Sequence, residues 1–470
     1  IASNMKARLL ELEQIKTHER DPGLYARVII DELGYIASFE YAPIESRLRH
    51  LIAKQKQIPR FLDGARSHLS SSAPLFQRPG LASLRVALAL VRNDLPKVFA
   101  SVKDSKLQSD FKKSTEQAAE AITKYIGSLE RAKLDPAVSH SIGGENLQAK
   151  LKHEEGIDVS LDTLVSIAAR DLARTQEAFK KTAAQIDPAR TPTQVWAKVR
   201  SERPQAGRVA DEAESQLVAL LRFLEDKQVV ATTGFVRPVV APAMEFERRP
   251  EPVLWSPGAF ETRALPARLV VSDLVATDAD QTALPLSYSA LWMHSINKAV
   301  PGQAVQLSSL KQVGSPVRKT RSVGGRALTE GWALYAEQMV LDEGFGGGNS
   351  KLRLAQLADD LLAASRLIAG IRLHAEGMQI DEAVRFLMEN AYLSNPEARQ
   401  TAEQLAYDPG SIMSIVGKLV LLKLREDYQR NLKDGFSLAE FHTKLFSTGQ
   451  APLWVVRQML LPGDKGKLIE

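Results

Sequence analysis

Eight histidines, 56 acidic side chains and no cysteine bound the chemistry open to this 470-residue chain. Thiolate metal sites, a nucleophilic cysteine and disulfides are excluded together, so a catalytic metal would have to use His, Asp or Glu. Two glutamates come forward first. Glu330 and Glu337 stand seven residues apart in Glu330-Gly331-Trp332-Ala333-Leu334-Tyr335-Ala336-Glu337. On a helix both carboxylates share one face, about 10 Å apart along the axis, which is too far for one ion to be ligated by both. Trp332, Tyr335, Ala336, Met339 and Val340 form an apolar stripe on another face, which predicts core packing for them. Paired glutamates on a helix most often face solvent, and that is the plain alternative to a site.

Upstream of this run, no acidic residue occurs between Asp280 and Glu330, whereas Lys298, Lys311, Arg318, Lys319, Arg321 and Arg326 all fall inside. The whole chain carries a net charge of only +5, so this one stretch exceeds the overall excess. A solvated basic loop accounts for it. So does the rim of a cleft for an anionic ligand, because Lys and Arg make charge-assisted bonds to carboxylates. Nucleic acid is disfavoured: no aromatic residues are interleaved with these charges as stacking platforms. The segment Leu291 to Gly302 reads as an apolar helix stopped by Pro301-Gly302, with Asn297 and Lys298 on its last turn and His294 one turn earlier.

The elements that must position these groups are mostly helical. Apolar residues recur at helical spacing in Leu9-Leu10, Leu12, Ile15 and in Leu161, Leu164, Ile167, Leu172. Ser437 and Glu440 are spaced as a capping box, flanked by Phe436 and Phe441 as a hydrophobic staple. Around 231–275, six of the 23 prolines and short β-branched runs such as Leu269-Val270-Val271 predict loops with a short strand or two. Gly346-Gly347-Gly348 predicts a turn between helices and, with no Lys-Ser/Thr after it, not a phosphate loop. Lys152-His153-Glu154-Glu155 reads as a solvated helix end, and no G-x-S-x-G elbow occurs. No apolar run approaches the roughly 20 residues of a membrane helix. The expected fold is mainly α, one large multi-helix body over 1–470, with N-terminal helices over 1–139 and the chemistry-bearing region over 140–461. The first residue is Ile rather than Met, which predicts a trimmed form whose export signal is not visible.

The run from Glu330 to Glu337 resembles the hallmark of a large bacterial family catalogued as domain of unknown function 885, itself similar to zinc-dependent metallopeptidases. Ile142-Gly143-Gly144-Glu145, Arg366-Leu367-Ile368 through His374, Asp408-Pro409-Gly410 and the stretch 435–452 follow the same order and approximate spacing. The resemblance implies a metallopeptidase-like helical body, and a periplasmic or secreted location. It also implies an H-E-x-x-P-G-H-x-x-Q run ahead of the Glu-Gly-Trp helix, whose two His bind zinc and whose Glu activates water. The matching positions here are Asn297-Lys298-Ala299-Val300-Pro301-Gly302-Gln303-Ala304-Val305-Gln306. Pro301, Gly302 and Gln306 are kept; both ligands and the base are replaced. Amides are poor zinc ligands. An ammonium about 4 Å from a dication is repelled by about 8 kcal/mol at an effective dielectric of about 20. Only His374 remains of the later helix's expected Asp-Thr-Gly-Ile-His, and Ser411 to Gly417 lacks the Tyr-Lys pair that follows Pro-Gly in the family.

Two readings stay open. In one, the chain is a non-catalytic homologue with no metal, whose former site is a Lys298–Glu330 ion pair near Asn297, Gln303 and His374. Its cleft, with Gln306, Tyr335, Glu337, Arg321 and Arg326 added, would take a peptide or another anionic ligand. In the other, an active zinc-dependent hydrolase uses a relocated set of His294, Glu330 and His374.

Overall fold

The structure is a computed structural model describing residues 1–69, 74–132, 139–231, 234–273, 286–320 and 324–469. It is mainly helical, as the periodicity predicts. Helices Gly23–Ser38, Ile44–Gln55, Ile58–His68, Pro74–Ala89 and Ser105–Glu130 close around an apolar core of their own that includes Leu33, Leu48, Leu84, Phe99 and Ile122. Amphipathic helices bury such a stripe because removing it from water stabilises by roughly 25 cal/mol per Å² of apolar surface. Phe246, from the Pro-rich segment, is buried in that same core and ties the later chain to it.

A second, larger core holds the rest. Its long helices are Leu161–Ile186, Arg326–Asp342, Ser350–Ala375 and Met413–Leu432. The first opens on a side-chain cap: the Ser160 hydroxyl accepts a hydrogen bond from the Thr163 amide at 3.2 Å. Ser437 likewise caps helix Leu438–Ser447 through the Glu440 amide, at 3.3 Å. The Glu440 side chain does not complete the box; it pairs with Lys444 at 2.8 Å. Gly346 and Gly347 take left-handed conformations in the turn Phe345–Gly348, which joins two helices as their spacing predicts.

The Pro-rich segment forms three strands rather than one or two: β1 (Val239–Pro242), β2 (Val253–Trp255) and β3 (Arg268–Val271). Their order is β1-β3-β2, with β1 parallel and β2 antiparallel to β3. Leu269, Val270 and Val271 of the central strand are all buried, which explains their unbroken apolar character. Among the described residues no single helix is long and apolar enough to cross a membrane.

Helices Arg326–Asp342 and Met413–Leu432 approach closely in the larger core. A Cβ on Gly331 would collide with the Gly417 backbone, and one on Gly417 with the Ala327 carbonyl. Because the obstructing atoms are backbone, neither can swing aside. Gly417→Val is expected to lose 1–3 kcal/mol or more, the order of about what overpacked cores cost. Chemical denaturation of the full chain measures it, and Gly435→Val, where a Cβ meets nothing, is the control.

Candidate functional site

Helix Tyr288–His294 opens at Ser287, whose hydroxyl accepts from the Ala290 amide at 3.2 Å, and widens into a π turn over Ser295–Ala299. Such turns hold one extra residue and recur at functional sites. Here the turn carries Asn297 and Lys298. The chain then bends back so sharply at Gly302 that a Cβ there would run into the carbonyls of Ile296 and Asn297. From the facing helix, the Trp332 indole N–H donates to the carbonyls of Pro301 and Gly302 at 2.9 and 3.2 Å, locking turn to helix. This contact holds Pro301 and Gly302 in fixed register with Trp332.

Strand β2 packs against the same π turn and brings Glu251, just ahead of it, towards His294 and Lys298. Glu251 is exposed, and His294, Lys298, Glu330, Asp359 and Arg366 are half-buried. Lys298 and Arg366 act electrostatically on both Glu251 and Glu330, so these groups share one neighbourhood. Burial pushes the Glu251 carboxyl up, but His294, Arg366, Lys298 and Arg249 bring it below the ordinary carboxylate range. Burial pushes His294 down to about 4, leaving it neutral at pH 7. Burial raises Glu330 against the pull of Arg326, Lys298 and Arg366. Lys298 has no carboxylate within ion-pairing distance among the described residues, although it feels both Glu251 and Glu330.

The predicted Lys298–Glu330 pair does not form. Glu330, with 30% of its side chain accessible, pairs with Arg326 one turn before it, at 3.2 Å. Arg326 also grips both oxygens of Asp408, at 2.9 and 2.8 Å. Glu337 is buried beneath the cleft rather than lining it, and its Oε1 accepts from the Asn297 amide at 2.7 Å. Burial, with Asp359 close by, raises Glu337 well above its ordinary range.

Below lies an ion pair that sequence reasoning missed. Lys418 Nζ reaches both oxygens of Asp360 at 2.5 and 2.6 Å, with 3% and 7% of the side chains accessible, and the Gln356 amide donates to Asp360 at 2.6 Å. Acidic residues in the middle of a helix as apolar all round as Ser350–Ala375 were the available signal, since such charges must be paired.

Other expected site residues lie elsewhere. Tyr335 is in the core; its hydroxyl meets His442 Nε2 at 2.9 Å and accepts from Arg425 at 3.2 Å. His374 is buried with both ring nitrogens engaged: Nδ1 accepts from the Ile142 amide at 3.3 Å and Nε2 donates to the Leu405 carbonyl at 2.9 Å. Gln306 is buried and Gln303 begins a short helix. Arg321 lies outside the described residues. The remaining basic residues are spent on structure: Lys311 on the Arg263 carbonyl, Arg318 on the Ser447 and Thr448 carbonyls, and Lys319 over the Phe260 ring. Nor is the 152–155 run a solvated end, since buried Glu155 accepts from the Arg326 and Ala327 amides, both at 2.8 Å, and caps the Glu330 helix.

These residues do not fit the zinc that the resemblance implies. Asn297 is committed to Glu337, His374 to backbone, and no three His, Asp or Glu side chains among the described residues converge on one ion position.

Residues 2–460 match the bacterial family described as protein of unknown function, DUF885. The chain belongs to that family. A candidate lipoprotein of unknown function from Shewanella oneidensis shares the fold with a TM-score of 0.73 at 22% identity, covering 98% of this DUF885 chain and 88% of its own. A candidate lipoprotein from Colwellia psychrerythraea has the same TM-score at 20% identity, covering 90% of this chain and 77% of its own. No curated protein matches.

Asp359 supplies a test. Burial, then Asp360 and Glu251, raise it to about 7 against Arg366 and Lys418. A carboxyl with a raised folded pKa contributes stability that is present below the unfolded pKa and lost as pH climbs through about 7. The melting temperature of Asp359→Asn relative to the parent protein is therefore expected to rise between pH 5 and pH 8. A constant difference would contradict it. Separately, Lys418→Met strands Asp360 and is expected to cost about 3–5 kcal/mol, read by denaturant titration.

Proposed function

We propose that this DUF885 member is a non-catalytic homologue of zinc-metallopeptidase-like proteins whose cleft binds a peptide or another anionic ligand. The observation that carries this reading is Lys298. It occupies the position at which the family resemblance puts a general base, and an ammonium is a proton donor with no basic lone pair at neutral pH. It is half-buried, with no ion-pair partner among the described residues. A ligand carboxylate would supply that partner, and a bond between two charged groups is among the stronger polar contacts. Glu330 and Glu251 on either side suit the amides and cationic groups of a peptide. His294, neutral at pH 7, can donate or accept one hydrogen bond. The lipoprotein description of two structural neighbours supports a place in the cell envelope or outside the cell.

Retained binding without turnover is the expected outcome. Fluorescence polarisation with a labelled tetrapeptide library should detect binding that weakens at high salt. Lys298→Gln should cut affinity about tenfold to hundredfold, as loss of one charged hydrogen bond does. Mass spectrometry of the same peptides should show them intact. Cleavage that a chelator abolishes would overturn the proposal.

A further inference from the structure

The larger body and the N-terminal helices do not close completely on one another. A cavity of about 400 Å³ remains at their junction, within the size range of small-molecule sites. Arg20, Arg27 and Phe76 line it from the N-terminal side together with the carboxylates of Glu11 and Asp21; His140, Ile142, Lys150 and Arg326 line it from the other together with Asp408, so the charged lining sums to +1. The cations are held in place: Arg20 donates to the Ser139 carbonyl at 2.6 Å, Arg27 pairs with Asp21 at 2.6 Å, and Arg326 pairs with Asp408. Arg27 and Arg326 each keep nearly half of the side chain accessible. His140 contributes an Nε2 that is buried with no hydrogen-bond partner among the described residues. Burial, with Arg20 beside it, lowers the pKa of this ring, so it is neutral and free to make one polar contact. A buried polar atom without a partner costs free energy that a ligand can recover. The Arg20 guanidinium lies over the Phe76 ring, 5.6 Å from its centre, so charge and apolar surface adjoin.

We infer that the junction cavity is a second ligand site, separate from the cleft, for a small carboxylate with an aromatic or aliphatic body. Guanidinium groups match a carboxylate's two oxygens. The orphan His140 nitrogen supplies one further contact, and Phe76 with Ile142 covers the apolar part. A ligand held from both sides stabilises the folded chain by mass action.

Thermal melting of the full chain with phenylacetate, and separately with inorganic phosphate, tests this. Phenylacetate is expected to raise the melting temperature saturably, and more than phosphate does. Arg20→Gln should weaken the phenylacetate effect about tenfold in concentration. His140→Phe, which removes the ring nitrogens without removing a paired charge, should weaken it. Lys298→Gln, in the cleft, should leave it unchanged. No saturable shift in the parent protein, a shift that His140→Phe leaves intact, or one that Lys298→Gln removes would each overturn the assignment. A phosphate shift equal to that of phenylacetate would overturn its apolar component.

Discussion

Two backbones touch where Gly331 and Gly417 face each other, and the rest of the site depends on that contact. Helices whose side chains interdigitate keep their axes about 8–10 Å apart. With hydrogen in place of side chains the separation shrinks, and polar groups on either flank come within reach of third elements. On one flank Glu330 opens to the cleft; on the other Lys418 descends to Asp360. A larger residue at the crossing would part the helices and leave Lys418 short of its counter-charge.

Charge is arranged in two layers. The accessible layer mixes Lys298 and Arg366 with Glu251 and Glu330, so it is close to balanced and each group retains some contact with water. The inner layer is buried and compensates differently: Asp360 by an ammonium, Glu337 by accepting from the Asn297 amide. An ionised Glu337 would need a cation beside it, and Asn297 offers only a dipole.

Much of the fold was legible from periodicity. Helix Leu161–Ile186, the glycine turn and the helix around Glu330 follow from local spacing alone, as do the Ser437 cap and the β-branched run that became β3. The candidate site was legible only in part. Motif spacing led to Lys298, Asn297 and Glu330, but it could not show that Arg326 would reach Glu330 before Lys298 did. Tyr335 belonged to the apolar stripe by its helical phase, and that phase was the better guide to its place than its chemistry. His374 and Glu155 are bound to backbone from distant segments, and Glu251 enters from a Pro-rich stretch with no periodicity to read. Pairings between residues more than a hundred positions apart leave no trace in local pattern.

The cap supplied by Glu155 bears on the order in which the molecule assembles. Helix Arg326–Asp342 begins after Gly325, which has no side chain to satisfy its first amides, and the carboxylate that does so comes from 171 positions earlier. Until that early segment docks, the helix start is frayed and Glu330 and Arg326 have no fixed geometry. Closing so long a loop is slow and entropically costly. The start of the Glu330 helix is therefore held by a long-range contact, and detachment of the early segment would leave its first amides uncapped.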